Sequence, residues 1–181
     1  YVLEREGDKA LLISVSALSP GEFHNVYEEN SWANCSLREM LNGVFYEEYI
    51  SNYEKELLIE TDVFTSDNEV YGTVGGRTVK EYGFLFSAEE VELYFPDPED
   101  RYVQATQAAA RDGANVDIND GYNHEERDNN TWWWLRTMGA DRKKTAVVDA
   151  EGDIDYEGRH STVATGGIRP AMWVRCESVS E

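Results

Sequence analysis

Three consecutive tryptophans, Trp132-Trp133-Trp134, running into Leu135-Arg136, restrict this chain more than any other feature. Indoles are the bulkiest side chains, and a strand sends successive side chains to opposite faces. In a strand over residues 132–136, Trp133 points opposite to Trp132 and Trp134, so at least one indole must enter a core. Such a segment needs apolar layers around it and a partner for each buried indole N–H. With 181 residues, 41% of them hydrophobic, the chain is long enough to supply those layers as one domain over 1–181. Two readings of the triplet stay open. The tryptophans are core fillers, or Trp132, which abuts a long loop, is exposed and stacks on a sugar ring.

The rest of the pattern reads as short strands mixed with short helices. Residues 1–3 and 10–15 flank the turn-like Gly7-Asp8 and predict a hairpin, and Ser19-Pro20-Gly21 then breaks the pattern. Trp32, Leu37, Leu41 and Phe45 fall near helical spacing, which predicts a helix over 31–45 with Asn34 or Ser36 at its start. A second helix is expected over 47–58, with Tyr49, Tyr53 and Leu57 on one stripe, then an extended exit over 59–63 and a Gly-rich loop over 69–78. Residues 83–86 read as a short buried strand. Ser87 and Glu90 form an Ser-x-x-Glu box, so a helix should run over 88–95 and stop before Pro96. A helical turn is expected over 106–111, a long polar loop over 112–130, and strands over 132–136, 145–148, 154–156 and 168–174. Gly152 marks a tight turn between the middle two.

Charge narrows the partners. Sixteen basic against thirty-six acidic residues give a net charge of −20. A field of that sign repels phosphate backbones and anionic lipid surfaces, so neither nucleic-acid binding nor membrane insertion is expected. No stretch approaches the roughly 18 apolar residues that a spanning helix needs. The chain opens on Tyr1 with no basic-then-apolar leader, so it is expected to be a fragment or a mature form. Cys35 and Cys176, far apart, make neither a redox pair nor a zinc set and are expected to be two buried thiols, with a long-range disulfide, which needs an oxidising compartment, as the alternative.

Three segments together resemble a known family. Ser31-Trp32 followed by Ser36-Leu37-Arg38-Glu39-Met40-Leu41-Asn42 is similar to its Trp…Ser-x-Leu-Arg-x-Trp-Leu-Asn helix, with Met40 in place of the tryptophan. Gly83 to Glu90 is similar to its strand-then-helix element. Trp133-Trp134-Leu135-Arg136-Thr137 and Gly167-Ile168-Arg169-Pro170-Ala171 resemble its closing Trp-Trp-Leu-Arg-Ser and Gly-Val-Arg-Pro-Ala motifs. The family is an uncharacterised group of bacterial domains, frequent in gut Firmicutes and often found in larger surface or secreted proteins. Its closing motifs look like those of the C-type-lectin-like fold of formylglycine-generating enzymes. The resemblance therefore implies an α+β domain of C-type-lectin-like type, helices plus a twisted, mainly antiparallel sheet, at the cell surface or outside the cell. Neither the reactive cysteine pair of those enzymes nor the calcium-and-sugar signature of true C-type lectins is matched here.

The candidate chemistry is sparse. Asn115, Asp117, Asn119 and Glu126 fall at positions one, three, five and twelve of an EF-hand-like loop, but Asp120 stands where the turn needs glycine. Calcium is thus a candidate and a solvated loop the alternative; no other cofactor is expected. Asp149, Glu151, Asp153 and Asp155 are expected on the solvent face of a hairpin. Arg136 and Arg169 should bind carboxylates or backbone carbonyls, since burying a guanidinium alone is costly; an internal acid is the expected partner and a ligand carboxylate or phosphate the alternative. No histidine pair, nucleophile elbow or phosphate loop is present. The expected function is a non-catalytic binding module that contacts a glycan or protein through its loops, with Asn119, Asn123, Asn130 and Trp132 as ligand contacts. An enzyme related to formylglycine-generating proteins, or a purely structural module, is the alternative.

Overall fold

In the computed structural model, which describes residues 1–116 and 130–176, the chain begins with the expected hairpin. Strands β1 (Val2–Glu6) and β2 (Lys9–Ile13) pair antiparallel across Gly7-Asp8. Leu11 and Ile13 are buried, whereas Leu12 between them faces the other side and is half-buried. Ser19-Pro20-Gly21, expected only to break the pattern, instead forms β3 (Ser19–Gly21). Pro20 lacks an N–H, which is tolerated because β3 is the outermost strand of its sheet.

The helical region is more broken than its apolar spacing predicts. A 3₁₀ turn over Trp32–Asn34 precedes α1 (Ser36–Met40), and the turn widens to π geometry over Leu41–Phe45 before α2 (Tyr46–Tyr49). Cys35, in extended backbone, separates the first two pieces, and its Sγ accepts from the Arg38 N–H. The expected second helix is interrupted at Ile50-Ser51. Ser51 and Glu54 make a reciprocal capping box that starts a fresh helix, α3 (Asn52–Leu57). The interruption dissolves the stripe read from Tyr49 and Tyr53, which are 71% and 72% exposed.

Strands β4 (Thr61–Val63) and β5 (Val79–Glu81) form a small separate ladder around a loop that includes the expected Gly-rich excursion. Residues Phe84, Leu85 and Phe86 are buried as expected, but instead of a ladder they have one bridge, to Ala171, and a bond from the Arg136 N–H to the Phe86 carbonyl. The Ser87–Glu90 box caps α4 (Ala88–Tyr94), which ends before Pro96. A further short helix, α5 (Gln107–Arg111), is capped by Thr106.

Strands β6 (Trp133–Met138), β7 (Lys144–Val148) and β8 (Ile154–His160) form an antiparallel meander, with Gly152 at φ 84° in the β7–β8 turn. The strand expected over 168–174 is two strands. Arg169-Pro170 separates β9 (Gly166–Ile168) from β10 (Ala171–Arg175), and the two join different sheets. One sheet has the order β3-β9-β6-β7-β8, with only β6 and β9 parallel; the other has the order β1-β2-β10. The fold is therefore mixed α+β, with mostly antiparallel sheets and short helices. Among the described residues no helix is long and apolar enough to cross a membrane. One core joins both sheets, with Trp32, the three adjacent tryptophans, Phe23 and Phe84 to Phe86 at its centre.

Candidate functional site

Strand alternation decides where each tryptophan goes. Trp132 and Trp134 share one side, in edge-to-face contact at 4.8 Å. Trp133 points the other way, donates its indole N–H to the Arg101 carbonyl at 3.2 Å and lies under the Arg169 guanidinium at 4.9 Å. Trp134 donates to the Gly21 carbonyl at 2.8 Å. Gly166 makes the Trp132–Trp134 contact possible, because a Cβ there would stand 2.4 Å from Trp134 Nε1 and 2.5 Å from the Trp132 ring.

The expectation of an exposed Trp132 is corrected. The residue is 2% exposed, packed between Trp134 and Gly166 and stacked by the Arg159 guanidinium at 4.5 Å. With no open indole face there, the sugar-stacking argument falls away. Asn130 is corrected too. It is 1% exposed, and its amide donates toward the Ala150 carbonyl, so it fixes the chain beside the β7–β8 turn instead of presenting a contact. Asn115 is exposed, and its backbone N–H bonds Thr165. Asp117, Asn119, Asn123 and Glu126, the remaining candidates for calcium or ligand, lie outside the described residues. Among the described residues no group of three His, Cys, Asp or Glu side chains is placed to hold a metal ion.

The buried arginines divide into two kinds. Arg136 has the internal carboxylate expected of it. Its guanidinium grips Glu90, with Nη2 to Oε1 at 2.8 Å, and also donates to the carbonyls of Phe64 at 2.7 Å and Leu85 at 2.6 Å. Arg38 pairs similarly with the buried Glu81, whose carboxyl burial holds above the usual carboxylate range despite that partner. Arg169 has no carboxylate partner among the described residues. It is sandwiched between Trp133 and Phe95, donates from Nε to the Ser14 carbonyl at 3.0 Å, and burial pulls its pKa down to about 10. Two aromatic faces replace the acid, since their π-electron density accepts a cation.

Other titratable clusters are used locally. The Asp149 carboxylate accepts from the Glu151 and Asp153 N–H groups, and Asp155 accepts from Gly158, so these acids shape turns. His24 Nδ1 accepts from the Ser36 N–H. Burial pushes the Cys35 thiol up to about 12, which keeps it protonated and unreactive, and Cys176 is half-buried; neither forms a disulfide.

Accessible concavities lie elsewhere: a more polar one of about 290 Å³ between β3 and α1, lined by Glu22, Asn25 and Ser36, and apolar ones on the outer face of the β1-β2-β10 sheet. Leu12 and Met172 are register partners, and Val174 lies two residues along β10 on the same face. The helical run from Phe45 to Leu57 stands against this face. Two cavities result, of about 350 Å³ and 230 Å³, and both are lined by Leu12 and Met172. The first extends to Val2, Leu18 and Phe45; the second extends to Ile50, Leu57 and Val174. The two adjoin at the Leu12–Met172 pair, which lines both, and together they make a groove along this face. Sequence reading missed it, although one signal was present: Ala10 to Ile13 and Ala171 to Val174 are apolar on both faces, which a half-solvated strand is not.

Residues 7–176 match the family described as Domain of unknown function (DUF6273). The chain belongs to this family. In this DUF6273 domain the matched span holds β2, β10 and the helical wall, whereas Tyr1 and Val2 of the larger cavity lie outside it. No curated protein and no solved structure matches the chain.

Proposed function

We propose that this domain is a non-catalytic binding module of a bacterial surface or secreted protein, and that its ligand is a protein segment seated in the groove over Leu12 and Met172. The carrying observation is the groove itself, two adjoining apolar cavities bordered by the exposed Val2 and by Tyr49, which stacks on Phe45. Large exposed apolar patches mark interaction sites more often than idle surface. A protein ligand is favoured over a glycan because Trp132, the indole best placed to stack on a sugar, is enclosed. The C-type-lectin-like form of the fold is part of the same reading. Its supports are the order of the tryptophan and Gly-Ile-Arg-Pro-Ala segments, and the pairing of the first hairpin with the last strand in one sheet.

Printed peptide and glycan arrays, probed with wild-type domain and with Met172→Glu, test this. Peptide spots that bind the wild type and lose most of their signal with the variant are the expected result. Glycan spots bound equally by both proteins would sink the groove as the ligand site. The reading includes no resident metal. The thermal midpoint should therefore be the same in millimolar calcium as in a chelator, because an ion held only by the folded state must raise it. A raised midpoint that Asp117→Asn abolishes would assign the ion to the candidate set Asn115, Asp117, Asn119 and Glu126.

A further inference from the structure

The groove is uneven in charge, and that unevenness specifies what fits it; this step rests on the groove being the ligand site proposed above. The helical wall carries Glu47, Glu48, Glu54 and Glu56, all exposed, and Glu54 lines the smaller cavity. Its one cation, Lys55, is already engaged. Its Nζ lies 2.6 Å from Glu47 and 4.7 Å from the centre of the Tyr46 ring. On the sheet side Lys9 is similarly held, 2.6 Å from Glu6 and 4.6 Å from the Trp173 ring centre. Arg175 is the remaining cation at the groove, at the end where β10 leaves it. Of these acids Glu54 lines a cavity, and among the described residues neither it nor Glu48 is paired with a cation.

Several occupants are disfavoured by this arrangement. A second copy of the chain brings another net charge of −20 against the first. An anionic bilayer is repelled in the same way. An uncharged apolar segment fills the cavities but leaves the carboxylates to water. We infer that the groove takes a polypeptide segment whose apolar side chains are flanked by lysine or arginine. The apolar side chains enter the two cavities beside Leu12 and Met172, and the cations meet Glu48 and Glu54. Field strength from the whole chain speeds the encounter, and the local carboxylates set the register.

The test is a selection resolved by charge. A displayed library of random peptides is panned on the intact domain. Enriched peptides are then synthesised and titrated by fluorescence anisotropy against wild type, Met172→Glu and the double variant Glu48→Gln/Glu54→Gln. The glutamine at 54 keeps an acceptor oxygen for the Ser51 cap, so the second variant folds even if the first does not. Circular dichroism checks this. The expected peptides combine apolar residues with Lys or Arg. Their affinity falls about tenfold in each variant, and it weakens as salt rises from about 0.05 M to about 0.5 M. Neutral or acidic peptides that need Met172 but ignore the glutamine variant overturn the cationic occupant and leave the groove as a ligand site. Peptides that bind Met172→Glu like the wild type, or a library that enriches nothing, overturn both readings. Self-association by sedimentation, or binding to zwitterionic vesicles, that is lost in Met172→Glu overturns the peptide in favour of a second copy or a lipid surface.

Discussion

Arg136→Met should cost the domain about 3–5 kcal/mol of stability, the loss typical of breaking a buried ion pair by removing one partner. The guanidinium answers two groups of acceptors at once. Removing it strands the Phe64 and Leu85 carbonyls and leaves the Glu90 carboxylate without its cation. Glu90 also accepts from the Ser87 N–H at the start of α4, so a displaced carboxylate loosens the cap as well as the ion pair. Urea unfolding followed by far-UV circular dichroism measures the effect as a drop in midpoint at unchanged slope. Replacing both residues, as Arg136→Met/Glu90→Met, should recover part of the loss, because no charge is then left alone. A single variant as stable as the wild type would show that water replaces the guanidinium, and that the arginine is not an anchor between β6, α4 and the Phe64–Leu85 backbone.

Trp134→Ala is the second large effect, at about 3–5 kcal/mol for a fully buried aromatic truncated to a methyl group. The indole contacts Trp132, packs 6.0 Å from Phe23 by ring centres and satisfies the Gly21 carbonyl, so one deletion opens a cavity between the five-stranded sheet and the loop after β3. For a domain of this size the midpoint should fall by roughly 10 °C in a thermal melt. Trp134→Phe keeps most of the apolar volume and loses the N–H donor, so it should cost clearly less. Equal costs for the two variants would mean that the hydrogen bond to Gly21, and not the packing, is what the indole supplies.

Sequence alone carried the local elements well where a single residue type enforces them. The Ser87–Glu90 box, Gly152 in its turn and the first hairpin each follow from short-range rules, and each is present. The misses have two causes, one local and one long-range. An apolar stripe continued through residues 47–58, but the Ser51–Glu54 box started a new helix inside it, and two capping hydrogen bonds outweighed the stripe. The strand read over 168–174 was cut by Pro170, because pairing with two different sheets depends on contacts far away in sequence. Arg169 has a backbone carbonyl, one of the two partners expected of it, and the preferred acid gives way to two aromatic rings that only the folded chain brings together. The groove was illegible for the same reason, since Leu12, Phe45 and Met172 meet only after the first hairpin, the helical wall and the last strand have assembled.

The enclosed tryptophan cluster also gives the domain an optical signature. Trp32, Trp132, Trp133 and Trp134 are nearly sealed from water, and Trp173 on β10 is partly covered. Emission should therefore be blue-shifted in the native state and move to the red as one transition when the core opens. The perpendicular Trp132–Trp134 pair places two chromophores in van der Waals contact, which should add a near-ultraviolet dichroism band absent from an isolated indole. That band follows the closure of Gly166 against the two rings, so a mixing experiment can time the docking of β9 onto β6 with no label attached.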